Sequence, residues 1–561
     1  MKRNCHSASP DPCYITFSKG GERAPGDREN QGAGAALEIM HHEFELKLAL
    51  APDQLEQLPR NPLLRSLACS TPATRELVST YYDTPARLLH RRAMALRVRA
   101  AGTQRIQTLK VPGDGATGLQ HFCEYETPLD DERPDLRQLA DEDIRSLFER
   151  EGVADSIEPV FTTRFERQVM RLRLVDSEIE LALDRGEIRS GEASEPICEA
   201  ELELVSGNQT RIYELALALH DSVPFRIERR TKAGRGYDLT MKHRPAPVFG
   251  AKPRLARGMP LGEAVARILR QCMAQIEGNE AAVIAGDDPE GVHQMRVGVR
   301  RLRAAMQAFR PVIAPNVQDI LEPELRWLQK QLGPARDWDV FVTETLPPIV
   351  AHLPGEHGFE TLSAQAEAVR AKAYETARAA LAAPRYTGLV LRLDLWLEEG
   401  SFVARPEAGA AGGTEGLATR PVEDFAAKVL SKRHKRLRKL GRQHHAFDEA
   451  ELHGLRIQTK KTRYALEFFR SLYPNKPVKR YLKALVGVQD ALGAFNDAAV
   501  TRGLLEGLRV RAALGDGYDK PLGERVTGLV TGWQAARSTD DLREFAQIWK
   551  RVEKAAPFWT A

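Results

Sequence analysis

HHEFELKLAL, residues 41–50, alternates charged residues with apolar ones. The charges fall on Glu43, Glu45 and Lys47, and Phe or Leu stands between them. Successive side chains of a β-strand point to opposite faces, so this stretch predicts a strand with one ionic and one apolar face. The apolar face suits a packed core, which leaves the ionic face for a polar environment.

Five later stretches repeat this alternation, with charges two or four residues apart where a core strand would carry Val or Leu. For any single strand, a charged face that simply meets solvent is an equally good interpretation. Six such strands with mixed charge signs instead predict a sheet curled around a polar lumen, as in barrels that enclose ligands. The charged positions are Arg97 and Arg99; Glu124 and Glu126; Glu180 and Asp184; Glu199, Glu201 and Glu203; and Arg226, Glu228, Arg230 and Lys232.

A lumen lined by acids and bases predicts a ligand that combines divalent cations with several negative charges, such as a metal-bound polyphosphate. Hard cations such as Mg²⁺ take carboxylate oxygens, and Arg and Lys bind phosphoryl oxygens. Phosphoryl transfer depends mainly on positioning and charge neutralisation, so such a site needs no nucleophilic Ser or Cys.

The order of these charged motifs resembles the CYTH superfamily of triphosphate tunnel metalloenzymes. The resemblance implies an antiparallel eight-stranded β tunnel. It also implies one of the activities of that family, which includes inorganic, thiamine and RNA triphosphatases and class IV adenylyl cyclases. Six matched segments carry it: the ExExK motif at 43–47, Tyr82-Asp83-Thr84, Leu96-Arg97-Val98-Arg99, Lys110-Val111-Pro112-Gly113, Asp184, and Glu199-Ala200-Glu201-Leu202-Glu203.

The same resemblance implies roles for acidic residues. Glu43, Glu45, Glu199 and Glu201 would hold the divalent cofactor, Mg²⁺ or Mn²⁺, with Asp184 as a further acidic ligand or as a residue that positions water.

It also implies a phosphate clamp of basic residues, and Tyr82 as a proton donor to the leaving group. Arg167 is an alternative to Arg164 in this clamp, and packing at strand ends is an equally good interpretation of Tyr82, Arg235 and Tyr237. The clamp consists of Lys47, Arg97, Arg99, Lys110, Arg164 and Lys232, with Arg235 at the tunnel mouth, and the residues assigned to catalysis are Glu43, Glu45, Lys47, Lys110 and Tyr82.

The second half of the chain contains an internal repeat. Residues 292–303, VHQMRVGVRRLR, recur 160 positions later as residues 452–463, LHGLRIQTKKTR. The same offset relates a Leu-Gly pair and a following Asp in the two copies. Two copies of one helical unit are therefore predicted.

Basic residues in each copy are three, four or seven positions apart and so share one helix face. A single face of this kind is usually solvated. Here both copies repeat it with few intervening acids, and residues 432–439 add a third basic segment, so we expect a surface that binds a polyanion. Nucleic acid is not the expected partner, because the aromatic residues typical of single-strand binders are not interleaved.

The HxxR repeat followed by LGxxxD resembles the CHAD domain over residues 259–559. The resemblance implies an all-α domain of two four-helix bundles with a basic cavity that binds inorganic polyphosphate. Thr459 and Thr462 depart from the first copy, so we expect the second copy to bind differently. The implied polyphosphate ligands are His293, Arg296, Arg300, Arg303, His453, Arg456, Lys460 and Arg463.

Composition divides the chain into an acidic and a basic part. Of its 561 residues, those from 251 onward carry 47 Lys and Arg against 37 Asp and Glu, a charge of +10, and the remainder carries −6. Six Cys without CxxC spacing, and the lack of a leader or long apolar span, predict a reducing cytoplasm and no membrane partner.

The expected class is α+β, a CYTH tunnel followed by a CHAD helical domain. Met40 would serve as an alternative start, and the oligomeric state stays open. The expected segments are residues 1–39 as a disordered terminus, 40–248 as the tunnel, 249–258 as a linker, 259–559 as the helical domain and 404–421 as a flexible excursion.

The predicted function is metal-dependent hydrolysis of inorganic triphosphate to pyrophosphate and phosphate, with polyphosphate held by the helical domain, in the cytoplasm or at polyphosphate granules. One alternative is a non-catalytic polyphosphate-binding scaffold. Another is a tunnel enzyme for a different triphosphate, either thiamine triphosphate, a nucleotide, or the substrate of an adenylyl cyclase.

Overall fold

The computed structural model describes residues 39–102, 104–113, 118–139, 141–241, 244–403, 415–442, 449–513 and 523–560. The chain forms two compact units: residues 1–212 with 222–243, and residues 213–221 with 244–561. The terminus expected to be disordered lies outside the described residues, apart from Ile39, which begins the first strand.

The first unit is built on an antiparallel sheet that closes on itself. Its strands are β1 (Ile39–Ala49), β2 (Ala73–Asp83), β3 (Ala95–Ala101), β4 (Gln104–Pro112), β5 (Gln120–Leu129), β6 (Glu158–Arg173), β7 (Glu178–Ser190), β8 (Ala193–Ser206) and β9 (Arg226–Ile227).

Closure comes from β1, which pairs with β5 along one edge and with β8 along the other. The ring runs β1-β5-β4-β3-β2-β6-β7-β8 and returns to β1. In a ring of eight strands β8 lies opposite β3, and β1 lies opposite β2. The predicted eight-stranded antiparallel barrel is confirmed.

The last predicted charged strand is wrong for most of its length. Only Arg226 and Ile227 are extended, as β9, and they pair with Leu48 and Ala49 at the end of β1. The reason is that β1 already has β5 and β8 as partners, so little backbone remains for a further strand. Lys232 instead begins a helix.

Outward-pointing apolar residues of β3, β4 and β5 pack against helical segments of the same unit, whereas the helix that begins at Lys232 contributes to the wall of the cavity. One core cluster joins Leu96 of β3 and Leu109 of β4 to Ile144 and Phe148, all buried. The first unit's helices, with the segment up to residue 220, are α1 (Pro52–Gln57), α2 (Pro62–Leu67), α3 (Leu88–Arg91), α4 (Glu142–Arg150), α5 (Val153–Ser156), α6 (Thr210–His220) and α7 (Lys232–Met241), with 3-10 turns at Leu58–Arg60 and Leu136–Gln138.

The second unit is helical, which confirms the predicted fold class. None of its described helices, nor any in the first unit, has both the length and the apolar composition needed to span a membrane. The helices are α8 (Leu261–Glu277), α9 (Glu280–Ala285), α10 (Pro289–Ala308), α11 (Pro315–Gln331), α12 (Gly333–Val340), α13 (Leu346–His352), α14 (Phe359–Ala382), α15 (Pro384–Glu399), α16 (Glu415–Ala418), α17 (Val422–Gly441), α18 (Glu449–Phe469), α19 (Asn475–Ala491), α20 (Gly493–Ala513) and α21 (Glu524–Glu553), with a π-helix at Phe341–Thr345 and a 3-10 turn at Arg470–Leu472.

The helix boundaries reproduce the sequence repeat. Helices α11 and α19 begin at residues 315 and 475 and end at residues 331 and 491, so both boundaries differ by 160. Helices α12 and α20 begin at residues 333 and 493, again 160 apart. The two basic helices, α10 and α18, contact each other.

The segment expected to be a linker, residues 249–258, packs against the helical unit. Leu255 is buried, and its backbone N–H and C=O both bond to the Ser471 hydroxyl. Arg301 of α10 donates to the carbonyl of Ala251 at 2.9 Å. Of the expected excursion, residues 404–414 lie outside the described residues, and the backbone of Arg420 bonds to Leu261.

A glycine at the end of α17 sets the spacing of two helices in the second unit. A Cβ atom on Gly441 would lie 1.8 Å from the ring of Trp549 on α21, which is fully buried, whereas a Cβ on Gly454 of α18 would have no atom within 4 Å among the described residues. We therefore expect Gly441→Ala to destabilise this unit by about 1–3 kcal/mol through overpacking. Gly454→Ala should stabilise it by about 0.5–1 kcal/mol through lost unfolded-state entropy.

Urea unfolding of both variants, followed by circular dichroism at the helix band, measures these changes. Equal effects of the two substitutions would contradict the close approach of α17 and α21.

Candidate functional site

The barrel encloses a cavity of about 460 Å³ whose wall is mostly ionic. The alternation of the strands places the charges there, as the direct pairing of Lys47 on β1 with Glu201 on β8 illustrates. The charged residues at the wall are Glu43, Glu45, Lys47, Arg75, Arg97, Arg99, Lys110, Glu124, Glu126, Arg167, Glu180, Glu201, Glu203, Arg229 and Lys232.

Three buried carboxylates form a cluster where β7 and β8 meet. Asp184 pairs with Glu199 across these strands, and oxygen atoms of Asp184, Glu199 and Glu201 all lie within 4.8 Å of one another. The Lys232 ammonium is 2.7 Å from Asp184 Oδ2 and 2.9 Å from Glu201 Oε1, and it also contacts Glu199. Helix α7 thus supplies the cation that the sequence assigned to a strand.

Arg167 of β6 neutralises the same cluster. Its Nε and Nη2 atoms donate to the two carboxylate oxygens of Asp184 at 2.7 and 2.6 Å, and it also bonds to Glu201. Although burial raises the pKa of Asp184 and Glu201, Lys232 together with Arg167 and, for Glu201, Lys47 lowers both pKa values below their usual range.

The ExExK motif of β1 forms a second group of ion pairs. Lys47 donates to Glu45 at 2.6 Å and to Glu201, and Lys110 of β4 donates to Glu43 at 2.5 Å. Burial raises the pKa of Glu43 to about 8, with the charges of Glu45 and Glu124 adding to this and Lys110 opposing it. The negative charge of the carboxylates around this motif therefore exceeds the positive charge that Lys47 and Lys110 supply.

This surplus fits a divalent cation. Glu45 is buried, and its Oε1 atom has no hydrogen-bond partner among the described residues. Carboxylate oxygens are the ligands that Mg²⁺ and Mn²⁺ prefer. Glu43, Glu45 and Glu201 line the cavity, whereas Asp184 and Glu199, also expected to be ligands, do not line it and pair with Lys232.

The opposite wall is basic. Arg97 and Arg99 project from β3, across the ring from β8, and the Nε atom of each is buried without a hydrogen-bond partner among the described residues. Burial, together with repulsion by Arg97 and Arg167, lowers the pKa of Arg99 to about 9. This wall has the chemistry to bind an anion.

Two predicted site residues lie on the outer face of the barrel, and a nearby residue of the same type faces the lumen in place of each. Arg164 lies on the outer face, 66% exposed, and donates to Glu76 at 2.7 Å; the alternative, Arg167, faces the lumen because three residues along a strand reverse the face. Tyr82 also points outward and donates to the carbonyl of Glu132 at 3.0 Å, and Tyr81 is the tyrosine at the cavity wall.

Arg235 does not line the cavity and pairs instead with carboxylates of β8. From helix α7 it donates to Glu195 and Glu199, both at 2.8 Å, and to the carbonyl of Pro196. Tyr237, two residues further along the helix, lines the cavity and donates to Asp83 at 2.9 Å.

Several wall residues had been given no role. Glu124, Glu126, Glu180 and Glu203 belong to the alternating motifs, so their position follows from the sequence pattern. Arg75 and Arg229 carry no such signal. Arg75 shares its inward face with apolar Leu77, and Arg229 follows β9 in irregular backbone.

The helical unit brings the basic faces of α10 and α18 together. Burial, together with repulsion by the neighbouring Arg456, Arg300 and Arg463, lowers the pKa of Lys460 to about 7. Arg300 belongs to the first copy, so the positive charges of both copies act on one lysine. This repulsion makes the region a candidate anion site.

The other predicted polyphosphate ligands differ in their burial and in the hydrogen bonds and ion pairs that they already make. Arg303 already donates to Gln329 and Glu322, at 2.7 and 2.8 Å, and Arg463 donates to Glu467 at 2.7 Å. Arg296 lies 3.8 Å from Asp337, and its counterpart in the second copy, Arg456, donates to Asn496 at 2.9 Å. His293 is partly buried, and His453 is exposed.

Comparison with known proteins identifies both halves. The CYTH domain model matches residues 41–237, and the CHAD domain model matches residues 267–506. The inorganic triphosphatase of Haemophilus influenzae is 35% identical over 206 residues, which make up 36% of this chain. The matched region spans 56% of the length of that curated relative.

Two solved structures are also similar. The CHAD domain of the plant Ricinus communis is 34% identical, with a TM-score of 0.47, and the match covers 56% of this chain and 98% of that one. An adenylyl-cyclase-like protein from Hippeastrum with a dominant triphosphatase activity is 22% identical, with a TM-score of 0.27, and the match covers 35% and 95% of the two chains.

The two arginines of β6 provide a matched pair for testing the barrel interior. We expect Arg167→Met to destabilise the barrel by about 3–5 kcal/mol, because it leaves the buried carboxylates of Asp184 and Glu201 without their guanidinium partner. Arg164→Met removes only an exposed ion pair with Glu76 and should cost at most about 1 kcal/mol. Thermal unfolding of the metal-free protein measures both, and a larger loss for Arg164→Met would show that the two faces of β6 are reversed.

Proposed function

Because the chain belongs to the CYTH family over residues 41–237 and to the CHAD family over residues 267–506, we propose that its barrel hydrolyses inorganic triphosphate to pyrophosphate and phosphate. The observation that carries this proposal is the division of the lumen into an acidic wall, with a buried carboxylate oxygen of Glu45 unpaired among the described residues, and a basic wall at Arg97 and Arg99. A triphosphate bound to a cation complements both walls at once.

The aromatic side chains of the cavity favour an inorganic chain over a nucleotide. The ammonium of Lys110 lies over the Phe122 ring, 5.5 Å from the ring centre. The rings of Tyr81 and Phe161 stack with their centres 4.6 Å apart. Tyr237 is held by its hydrogen bond to Asp83. These rings are engaged within the barrel wall, which supports a substrate without a base that needs stacking.

The proposed chemistry uses charge and position alone. Glu43, Glu45 and Glu201 would hold the divalent cation, which neutralises phosphate charge and activates a water when bound. Arg97 and Arg99 would orient the phosphoryl oxygens and stabilise the charge that develops on the departing pyrophosphate. The buried ion pairs of Asp184 and Glu199 with Lys232 would keep that ammonium directed at the lumen.

We expect Glu45→Gln to lower kcat for tripolyphosphate by at least about 100-fold, since it removes from the acidic wall a negative charge and a carboxylate oxygen that has no partner among the described residues. Glu76→Gln, on the outer face, is the matched control and should leave kcat unchanged. Phosphate release with Mg²⁺ or Mn²⁺ measures both.

Parallel assays with thiamine triphosphate and ATP test the substrate class. Faster turnover of either compound would show that the barrel acts on another triphosphate. No metal-dependent phosphate release from any of the three would show that the protein is a non-catalytic scaffold.

For the helical unit we propose binding of inorganic polyphosphate between the basic faces of α10 and α18. The support is the convergence of Arg300, Arg456 and Arg463 around Lys460, because such mutual repulsion is relieved by a linear polyanion. Cytoplasmic location and association with polyphosphate granules remain predictions from the sequence.

The polyphosphate proposal predicts a pH dependence. Lys460, with a pKa of about 7 in the free protein, is charged at pH 6 and largely neutral at pH 8.5. A bound polyanion favours the charged form and raises this pKa, so binding takes up a proton and affinity should fall by about tenfold at most for each unit of pH above 7.

Titration calorimetry with long-chain polyphosphate at pH 6, 7 and 8.5 measures this dependence. Lys460→Arg, which stays charged throughout, should flatten the profile. A steep profile in Lys460→Arg would assign the proton to another group, and tighter binding of DNA than polyphosphate at fixed salt would replace the proposed ligand.

A further inference from the structure

The outer face of the barrel carries a cluster of nitrogen and sulfur donors where β1 meets β5. His42 and Cys123 are direct cross-strand partners, and His121 stands two residues before Cys123. All three lie on the outside, because their neighbours Glu43 and Glu124 line the cavity. One suitable atom from each side chain lies within 4.8 Å of the other two.

Two distances between donor atoms in this cluster match the geometry of a metal site. His42 Nδ1 is 3.2 Å from His121 Nε2, and Cys123 Sγ is 3.6 Å from His42 Nδ1. Tetrahedral zinc, with Zn–N bonds of about 2.0–2.1 Å and a Zn–S bond of about 2.3 Å, requires N···N and N···S separations of about 3.3 and 3.6 Å. Two of the three donor–donor separations therefore agree with those of ligands around one ion, and the third is within 4.8 Å.

Neighbouring residues hold the ring of His121 in this position. The ring stacks on Phe44 at 4.3 Å with an angle of 7° between the planes. Gly113 leaves the space that the ring occupies, since a Cβ atom at Gly113 would lie about 2.4 Å from His121 Nδ1. The backbone N–H of Gly113 also donates to the carbonyl of His121 at 2.9 Å.

We propose that His42, His121 and Cys123 form a zinc site on the outer wall of the barrel, separate from the lumen. Imidazole and thiolate donors select zinc over Mg²⁺, whereas the carboxylates of the lumen select hard cations. Zinc with three protein ligands takes a water or another donor as its fourth. The bound ion would fasten β1, the strand of the ExExK motif, to β5.

Metal analysis of the full chain tests this site. Metal-free protein is incubated with Zn²⁺ in the presence of millimolar Mg²⁺, which occupies the carboxylates, and then desalted. We expect about one equivalent of zinc in the unmodified protein and its loss in Cys123→Ser. Cys69→Ser, which removes an exposed thiol elsewhere in the same unit, should retain the zinc.

Two further measurements separate metal ligation from a simple hydrogen-bonded cluster. Co²⁺ in place of zinc should give a thiolate charge-transfer absorption in the near ultraviolet that is lost in Cys123→Ser. Gly113→Ala keeps all three donors but displaces the ring of His121, and it should weaken zinc binding at least tenfold. Equal zinc content in the unmodified protein, Cys123→Ser and Gly113→Ala, or no zinc in any of them, would overturn the proposal.

Discussion

The barrel depends on the pairing of charges that its own closure buries. Moving one ion into a protein interior costs several kcal/mol, and removing a partner leaves that cost uncompensated. Lys232 and Arg167 therefore both contact Asp184 and Glu201, and Lys47 also contacts Glu201. The remaining imbalance is local and has opposite signs on opposite walls.

That imbalance follows from which strands are neighbours. Carboxylates of β1, β7 and β8 crowd together because these strands are adjacent in the ring, whereas Arg97 and Arg99 stand across the lumen on β3. A uniformly mixed wall would neutralise itself. Segregated walls instead provide fixed charges for a ligand with cationic and anionic parts, at no cost of reorganisation when it binds.

The sequence predicted the lumen well because the two-residue period of a strand is a local property. It failed where the register depended on distant partners. Arg164 and Arg167 are both plausible on period alone until the start of β6 is known, and Lys232 was assigned to the right lumen from the wrong element. The 160-residue repeat was predicted from the sequence alone, because helix boundaries follow the local sequence.

Tertiary contacts set the rest. The proline-rich segment before residue 258 has the composition of a linker, yet Leu255 and Ala251 are held by Ser471 and Arg301, which lie far along the chain. No local pattern reports such bonds. The convergence of Arg300 with Lys460 likewise requires that α10 and α18 meet, which the repeat suggests but does not fix.

The alternation of β1 separates two kinds of metal chemistry within consecutive residues. Glu43 points into the lumen with oxygen donors, and His42 points outward toward the imidazole of His121 and the sulfur of Cys123. A one-residue slip of β1 against β5 would exchange the two faces and put imidazole and apolar side chains into the lumen. An ion fixed on the outer face would therefore oppose the register error that most damages the inner one.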